Sequence, residues 1–136
     1  MMETQSFILD VVTLKKVVFS EPIESVIAPG TVGYFGILAG HTPFVSSLQI
    51  GTAKITKANG ETFTLATSGG FLMTDGKKVI LLAETAERPE DIDVKRAEAA
   101  KQRAEKRLAE KGQDINIDRA RTALLRAITR LKVARS

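Results

Sequence analysis

Pro89 divides the chain into two stretches that follow different rules. From Asp91 to Lys111 the sequence is rich in Ala, Glu, Lys and Arg and contains neither proline nor glycine, which is strong helix composition. Upstream, residues 7–86 carry β-branched and aromatic runs of strand length, separated by turn pairs. A chain of 136 residues has room for one domain with a helical appendage. At that size it buries roughly two thirds of its unfolded surface, enough for a core. The predicted class is α+β: an N-terminal antiparallel β-sandwich or flattened barrel over 1–88, then a C-terminal antiparallel two-helix hairpin over 89–136.

Within the first stretch, Phe7 to Val12 and Val17 to Phe19 read as strands, and Glu24 to Ala28 is a strand ending at the turn pair Pro29-Gly30. The sharpest local signal is the alternating segment Ala53 to Ala58, then Asn59-Gly60, then the alternating segment Glu61 to Ala66. Asn-Gly in that setting predicts a two-residue type I′ hairpin turn with both central residues at positive φ. Asp75-Gly76, between Gly70 to Thr74 and Lys77 to Leu82, predicts a second hairpin. Gly30, Gly33, Gly36 and Gly40 lack the Lys-Ser/Thr pair of a phosphate loop. They read, like Gly69-Gly70, as turn or bulge positions.

In the second stretch Ile92, Ala97, Ala100, Ala104 and Leu108 recur at helical spacing as one narrow apolar stripe. Gly112 is the expected stop, and Asp114 or Asn116 the cap of a second helix, with Asp118 in its first turn. Ile117, Ala120, Leu124, Ala127 or Ile128, Leu131 and Ala134 line its apolar side. A short connection predicts antiparallel helices. Ala-rich stripes allow close approach but bury little area each, which limits how firmly the hairpin holds to itself and to the sandwich.

Composition narrows the function. There are no cysteines, so disulfides, thiolate metal sites and cysteine nucleophiles are excluded. The net charge is +4, but residues 1–90 hold seven basic against nine acidic side chains, whereas residues 114–136 hold six against two. A partner drawn by charge therefore meets the C-terminal segment. No apolar run approaches the ~20 residues of a membrane span. The opening residues lack the basic and apolar regions of a signal peptide, so a cytoplasmic protein is expected. His41 is the only histidine and is read as structural, since one histidine makes no two-histidine metal site. A stand-alone hydrolase has too few nucleophiles and bases. A nucleic-acid module is disfavoured because the β body is slightly acidic and Tyr34 is the only tyrosine or tryptophan available for stacking.

Near the junction, Asp93, Arg96 and Ala97 stand at i, i+3 and i+4 and share one face of the first helical turns. A carboxylate there can accept hydrogen bonds from an adenine amino group or ribose hydroxyls, and an arginine can clamp phosphates. Arg126 and Arg130, also i, i+4, lie where an antiparallel hairpin would bring further phosphate contacts. The alternative is a solvated helix with an Asp93–Arg96 pair contributing about 0–1 kcal/mol.

Several motifs in order carry a family resemblance: Ile27-Ala28-Pro29-Gly30-Thr31, Phe35 through Pro43, Ser68-Gly69-Gly70-Phe71-Leu72, Ala86-Glu87-Arg88 through Asp91-Ile92-Asp93, and Arg126-Ala127 with Arg130 through Ala134. Over essentially its whole length the chain resembles the epsilon subunit of the bacterial F-type rotary ATP synthase. The resemblance implies a non-catalytic rotor subunit at the foot of the central stalk of a proton-translocating enzyme, with no required cofactor and no metal. Its implied partners are the gamma subunit, the c-ring and, through an extended hairpin, the alpha and beta subunits. Its implied location is the cytoplasmic face of the cell membrane, peripheral and attached only through the complex. In the extended state the hairpin is expected to inhibit ATP hydrolysis, and the basic side chains Arg119, Arg121, Arg126, Arg130, Lys132 and Arg135 lie on the helix that does so. Some members bind ATP with the folded hairpin through Ile/Leu-Asp-x-x-Arg-Ala. That pattern stands complete as Ile92-Asp93-Val94-Lys95-Arg96-Ala97, with Glu87, Arg103, Arg126 and Arg130 at the associated positions. ATP is thus the expected regulatory ligand.

Overall fold

A computed structural model describes residues 5–110 and 116–135. Lys111, Gly112 and Asp114, named above as helix end, stop and alternative cap, lie outside the described residues.

Nine strands come first: β1 (Phe7–Val12), β2 (Val17–Gly30), β3 (Gly33–Leu38), β4 (Phe44–Leu48), β5 (Gly51–Lys57), β6 (Thr62–Thr67), β7 (Gly70–Thr74), β8 (Lys78–Ala83) and β9 (Ala86–Glu87). They are followed by a 3₁₀ turn at Pro89–Asp91 and the helices α1 (Val94–Ala109) and α2 (Ile117–Ala134). Hydrogen bonding runs β1-β8-β7-β4-β2-β5-β6-β9, with β3 on β2 and β1 also pairing back onto β2. That return contact closes β1, β8, β7, β4 and β2 into a ring, which flattens into the expected sandwich. One pairing differs from the antiparallel expectation: β1 and β8 run parallel, from Ile8↔Lys78 to Val12↔Leu82. A parallel neighbour needs a long connection, and the intervening strands supply it.

Alternation explains the core. Phe7, Leu9 and Val11 on β1, Ala53 and Ile55 on β5, and Val79, Leu81 and Ala83 on β8 all turn inward and are buried. The strands predicted separately at Val17–Phe19 and Glu24–Ala28 are one 14-residue strand. Its first half pairs with β1. Past an irregularity between Ile23 and Ser25 its second half pairs with β5 and β3. Pro22 lies within the first half, opposite Ile8, just before that exchange of partners.

Both predicted hairpins form, but the first has another turn. Among the described residues no non-glycine has positive φ, and Gly60 has φ +92°. Asn59 therefore does not adopt the left-handed geometry a type I′ turn demands. The Gly60 amide donates to the Lys57 carbonyl at 2.9 Å and the Lys57 amide to the Glu61 carbonyl at 2.7 Å. This is a three-residue loop closed by a glycine bulge. Gly70, at φ +129°, is constrained by space as well: a Cβ there would stand 2.0 Å from the Leu82 carbonyl oxygen.

The helices meet through alanine. Ala97 and Ala104 of α1 and Ala120 and Ala127 of α2 are buried, with Leu131, while Ala100, Leu108 and Leu124 are half-buried. Of the two alternatives Ala127 and Ile128, Ala127 faces inward and Ile128 is exposed. Ile117 is exposed, at the first turn of α2. A second side of α2 faces the sandwich, where Val133 and Ala134 pack with Ala66 of β6 and with Ile92. Ile92 does not belong to the α1 stripe. It is extended, at φ −86° and ψ 125°, and anchors the junction.

Candidate functional site

The chain leaves the sandwich along β9 and turns sharply. Arg88 precedes a proline and is extended, as sterics require. Its guanidinium lies over the rings of Phe19 and Phe63, at 5.5 and 5.4 Å. Asp93 then starts α1. Its carboxylate accepts the backbone N–H of Arg96 at 3.1 Å, so it is the N-cap of the helix. This differs from the predicted placement of Asp93 on a first-turn face. Among the described residues it makes no ion pair with the Arg96 side chain. Asn116 caps α2 in the same way, accepting the Arg119 N–H at 3.0 Å.

Where sandwich and hairpin meet there is a cleft of about 490 Å³, within the roughly 300–1,000 Å³ range of small-molecule sites. Its walls bring together Glu87, Asp93, Arg96, Ala97, Arg103 and Arg130. Two predicted site residues lie elsewhere. Ile92 is buried behind the wall, and Arg126 lines a neighbouring recess of about 10 Å³, barely the space of one water. The Arg130 guanidinium donates to the Glu87 carboxylate at 2.5 Å, and Arg126 pairs with Glu84 at 3.6 Å. Each ion pair ties α2 to the end of the sandwich.

The cleft also contains residues that sequence reasoning missed: Thr13, Lys15 and Lys16 from the β1–β2 turn, and Glu84 and Thr85 ahead of β9. Lys15-Lys16 is a basic doublet in an otherwise acidic body, but so is Lys77-Lys78, which does not line the cleft. Only the fold distinguishes them.

The basic side chains of α2 divide by environment. Arg126 and Arg130 face the sandwich's acids, and Arg135 bonds Glu98 of α1. Arg119, Arg121 and Lys132 are exposed and make no ion pair among the described residues. Far from the cleft, His41 donates from Nδ1 to the Leu38 carbonyl at 2.6 Å and meets the Thr74 hydroxyl through Nε2 at 2.5 Å. It thereby ties the loop before β4 to β7. Among the described residues, no helix is long and apolar enough to cross a membrane.

Residues 6–89 match the family model for the β-sandwich domain of the ATP synthase delta/epsilon chain, and residues 90–135 match the model for its long α-helix domain. The ATP synthase epsilon chain of Pelotomaculum thermopropionicum is 55% identical over 126 residues, covering 93% of each chain. The chain belongs to the bacterial ATP synthase epsilon family. That of Desulforamulus reducens is 52% identical over 100 residues, 74% of this chain and 75% of that one. As a member of the epsilon family, the chain is a subunit of the synthase and not a catalyst in its own right. A chain in the Euglena gracilis mitochondrial ATP synthase structure shares the fold, with a TM-score of 0.81 at 22% identity over 96% of this chain and 82% of that one.

Proposed function

We propose that this subunit sits at the foot of the rotor stalk, joins the gamma subunit to the c-ring of a proton-translocating synthase, and restrains ATP hydrolysis through its hairpin. It works at the cytoplasmic face of the cell membrane, held there by the complex. With the hairpin folded on the sandwich, hydrolysis is permitted. With it extended along gamma, the basic side chains of α2 reach the acidic segments of alpha and beta. ATP in the cleft favours the folded state, because half of the cleft's wall is the hairpin and the ligand's contacts exist only when the two parts meet.

The observation that carries this reading is the cleft itself, with six of the eight candidate residues converging on it. Glu87 and Asp93 offer carboxylates to adenine or ribose, and Arg96 and Arg103 offer guanidinium groups to phosphates. Two features of the fold make the switch energetically accessible. The helix–helix contact is built on alanine, and the apolar docking onto β6 rests on few side chains. In the folded state Arg126 and Arg130 are engaged by Glu84 and Glu87, so extension exchanges one set of acidic partners for another.

Calorimetry with ATP on the purified chain, beside a distance probe between α1 and the sandwich, tests this. Saturable binding that shortens or stabilises the probe distance is expected, with loss of affinity in Arg96→Ala. Asp93→Asn is preferable to Asp93→Ala, because asparagine keeps the helix cap while removing the charge. A ligand with equal affinity for both hairpin states moves nothing. Binding that leaves the probe distance unchanged therefore sinks the switch.

A further inference from the structure

Charge bookkeeping in the cleft leaves a residue that neither fold nor ion pairing explains. Of the four acids on its walls, Glu84 is held by Arg126, Glu87 by Arg130 and Asp93 by the first turn of α1, which leaves the exposed Asp91 as the one carboxylate with no partner among the described residues. Of its five cations only Arg130 is paired. Lys15, Lys16, Arg96 and Arg103 make no ion pair among the described residues. These four come from two different parts of the molecule. Arg96 and Arg103 belong to α1, whereas Lys15 and Lys16 belong to the turn between β1 and β2 of the sandwich.

That turn is well fixed in its backbone. The Thr13 N–H donates to the Lys16 carbonyl at 2.9 Å. The Thr13 hydroxyl accepts the amides of Lys15 and Lys16 at 3.3 Å each, in the manner of a hydroxyl-closed turn. Flanking strands pair at Val12↔Val17. The two lysines are thus exposed side chains on a rigid support, beside a cleft whose other wall also carries unpaired cations.

We propose that the β1–β2 turn is the second half of the phosphate site: Lys15 and Lys16 hold the terminal phosphates of a nucleoside triphosphate from the sandwich side, opposite Arg96 and Arg103 of the hairpin. The proposal rests on the nucleotide reading of the cleft and extends it to the sandwich. It also supplies a source of differential affinity. Empty, the cleft sets like charges of the two parts against each other. Filled by a polyanion, the same charges bridge the sandwich to the hairpin. Triphosphate therefore favours docking more than monophosphate, and salt weakens the effect by screening.

The test compares the full chain with Lys15→Ala/Lys16→Ala and Lys15→Arg/Lys16→Arg, titrated calorimetrically with ATP, AMP and inorganic tripolyphosphate. Circular dichroism and the thermal midpoint check folding, which the exposed lysines leave intact. Removing two charge-assisted phosphate contacts is expected to weaken ATP and tripolyphosphate about tenfold or more. AMP should change by less than about twofold, and the double arginine variant should retain ATP affinity. ATP binding equal in the intact chain and the double alanine variant overturns the proposal while the nucleotide reading stands. So does a loss for AMP as large as that for ATP. Lysine-dependent tripolyphosphate binding by a chain that ignores ATP keeps the clamp and removes the nucleotide. Binding of neither ligand removes both.

Discussion

The sandwich and the hairpin are held by different kinds of contact. In the sandwich, Leu9, Ile23, Ile37, Ile55, Leu65, Leu72 and Leu81 are all essentially inaccessible to solvent, and every strand is tied by backbone hydrogen bonds to at least one neighbour. In the hairpin the inter-helix contact is made largely by Ala97, Ala104, Ala120 and Ala127. Each alanine buries about one methyl group, where each leucine buries a full side chain, and burial contributes roughly 25 cal/mol per Å². Sequence length divides almost two to one between the parts, but apolar stabilisation divides far more unevenly. Side-chain size and inter-strand hydrogen bonding together set the two parts apart.

The comparison can be broken from its strong side. Leu81→Ala removes a fully buried side chain and is expected to destabilise the sandwich by about 2–5 kcal/mol, read from the urea midpoint. A loss much smaller than that would mean the core can collapse around the vacancy. Next in size is Val133→Ala, at the contact of α2 with Ala66 and Ile92. It should weaken hairpin docking by about 1–3 kcal/mol through lost burial and an imperfectly filled space. Hydrogen exchange should accelerate in α1 and α2 and stay unchanged in β7 and β8. Equal acceleration in both parts would show that they unfold as one unit.

A smaller effect sharpens the picture at the junction. Asp93→Ala strips the N-cap from α1 and should cost about 1 kcal/mol of helix stability, while Asp93→Asn costs a few tenths at most. Amide exchange at Arg96, whose N–H the carboxylate accepts, reads the difference directly. Smallest is the pH response of the sandwich edge. The Lys78 ammonium, 2.6 Å from Asp10, and the Ser20 hydroxyl hold the Asp10 carboxyl below its ordinary value of 3.8. With the folded pKa depressed, the stabilisation is present above pH ~3.9 and is lost as pH falls through the folded value. Lys78 is half exposed, so the loss is at most about 1 kcal/mol. Lys78→Met should reduce that pH dependence to the part the Ser20 hydroxyl still supplies, as followed by the thermal midpoint between pH 5 and pH 2.

The order of a β body before two helices, both hairpins, the alanine stripe and Asn116 as one of two possible caps were legible because each is a local pattern: composition, alternation, helical spacing or a short polar side chain before a helix. The turn at Asn59-Gly60 shows the limit of such reading. Its position was evident, but its type depended on whether Ala58 joined the loop. Strands β3 and β4 were not anticipated. β3 is interrupted by glycines, and β4 owes its form to β7, with which it pairs from Phe44↔Thr74 to Leu48↔Gly70. The candidate site divides in the same way. Glu87, Asp93, Arg96 and Ala97 are close in sequence and were recognisable together, whereas Arg103 and Arg130 join them only through helical register and antiparallel packing. Ile92 fits the motif yet serves as a core anchor.

By itself the sequence determined that a β body precedes a weakly packed basic helical hairpin, because periodicity and side-chain size are properties of neighbouring residues. It determined the family too, through motifs spread along the chain. Only the tertiary structure decided that β1 lies parallel to β8, that β2 exchanges partners between Ile23 and Ser25, and that Lys15 and Lys16 share a cleft with residues some eighty positions later. Those outcomes depend on which distant surfaces exclude water together, and no local pattern records that choice.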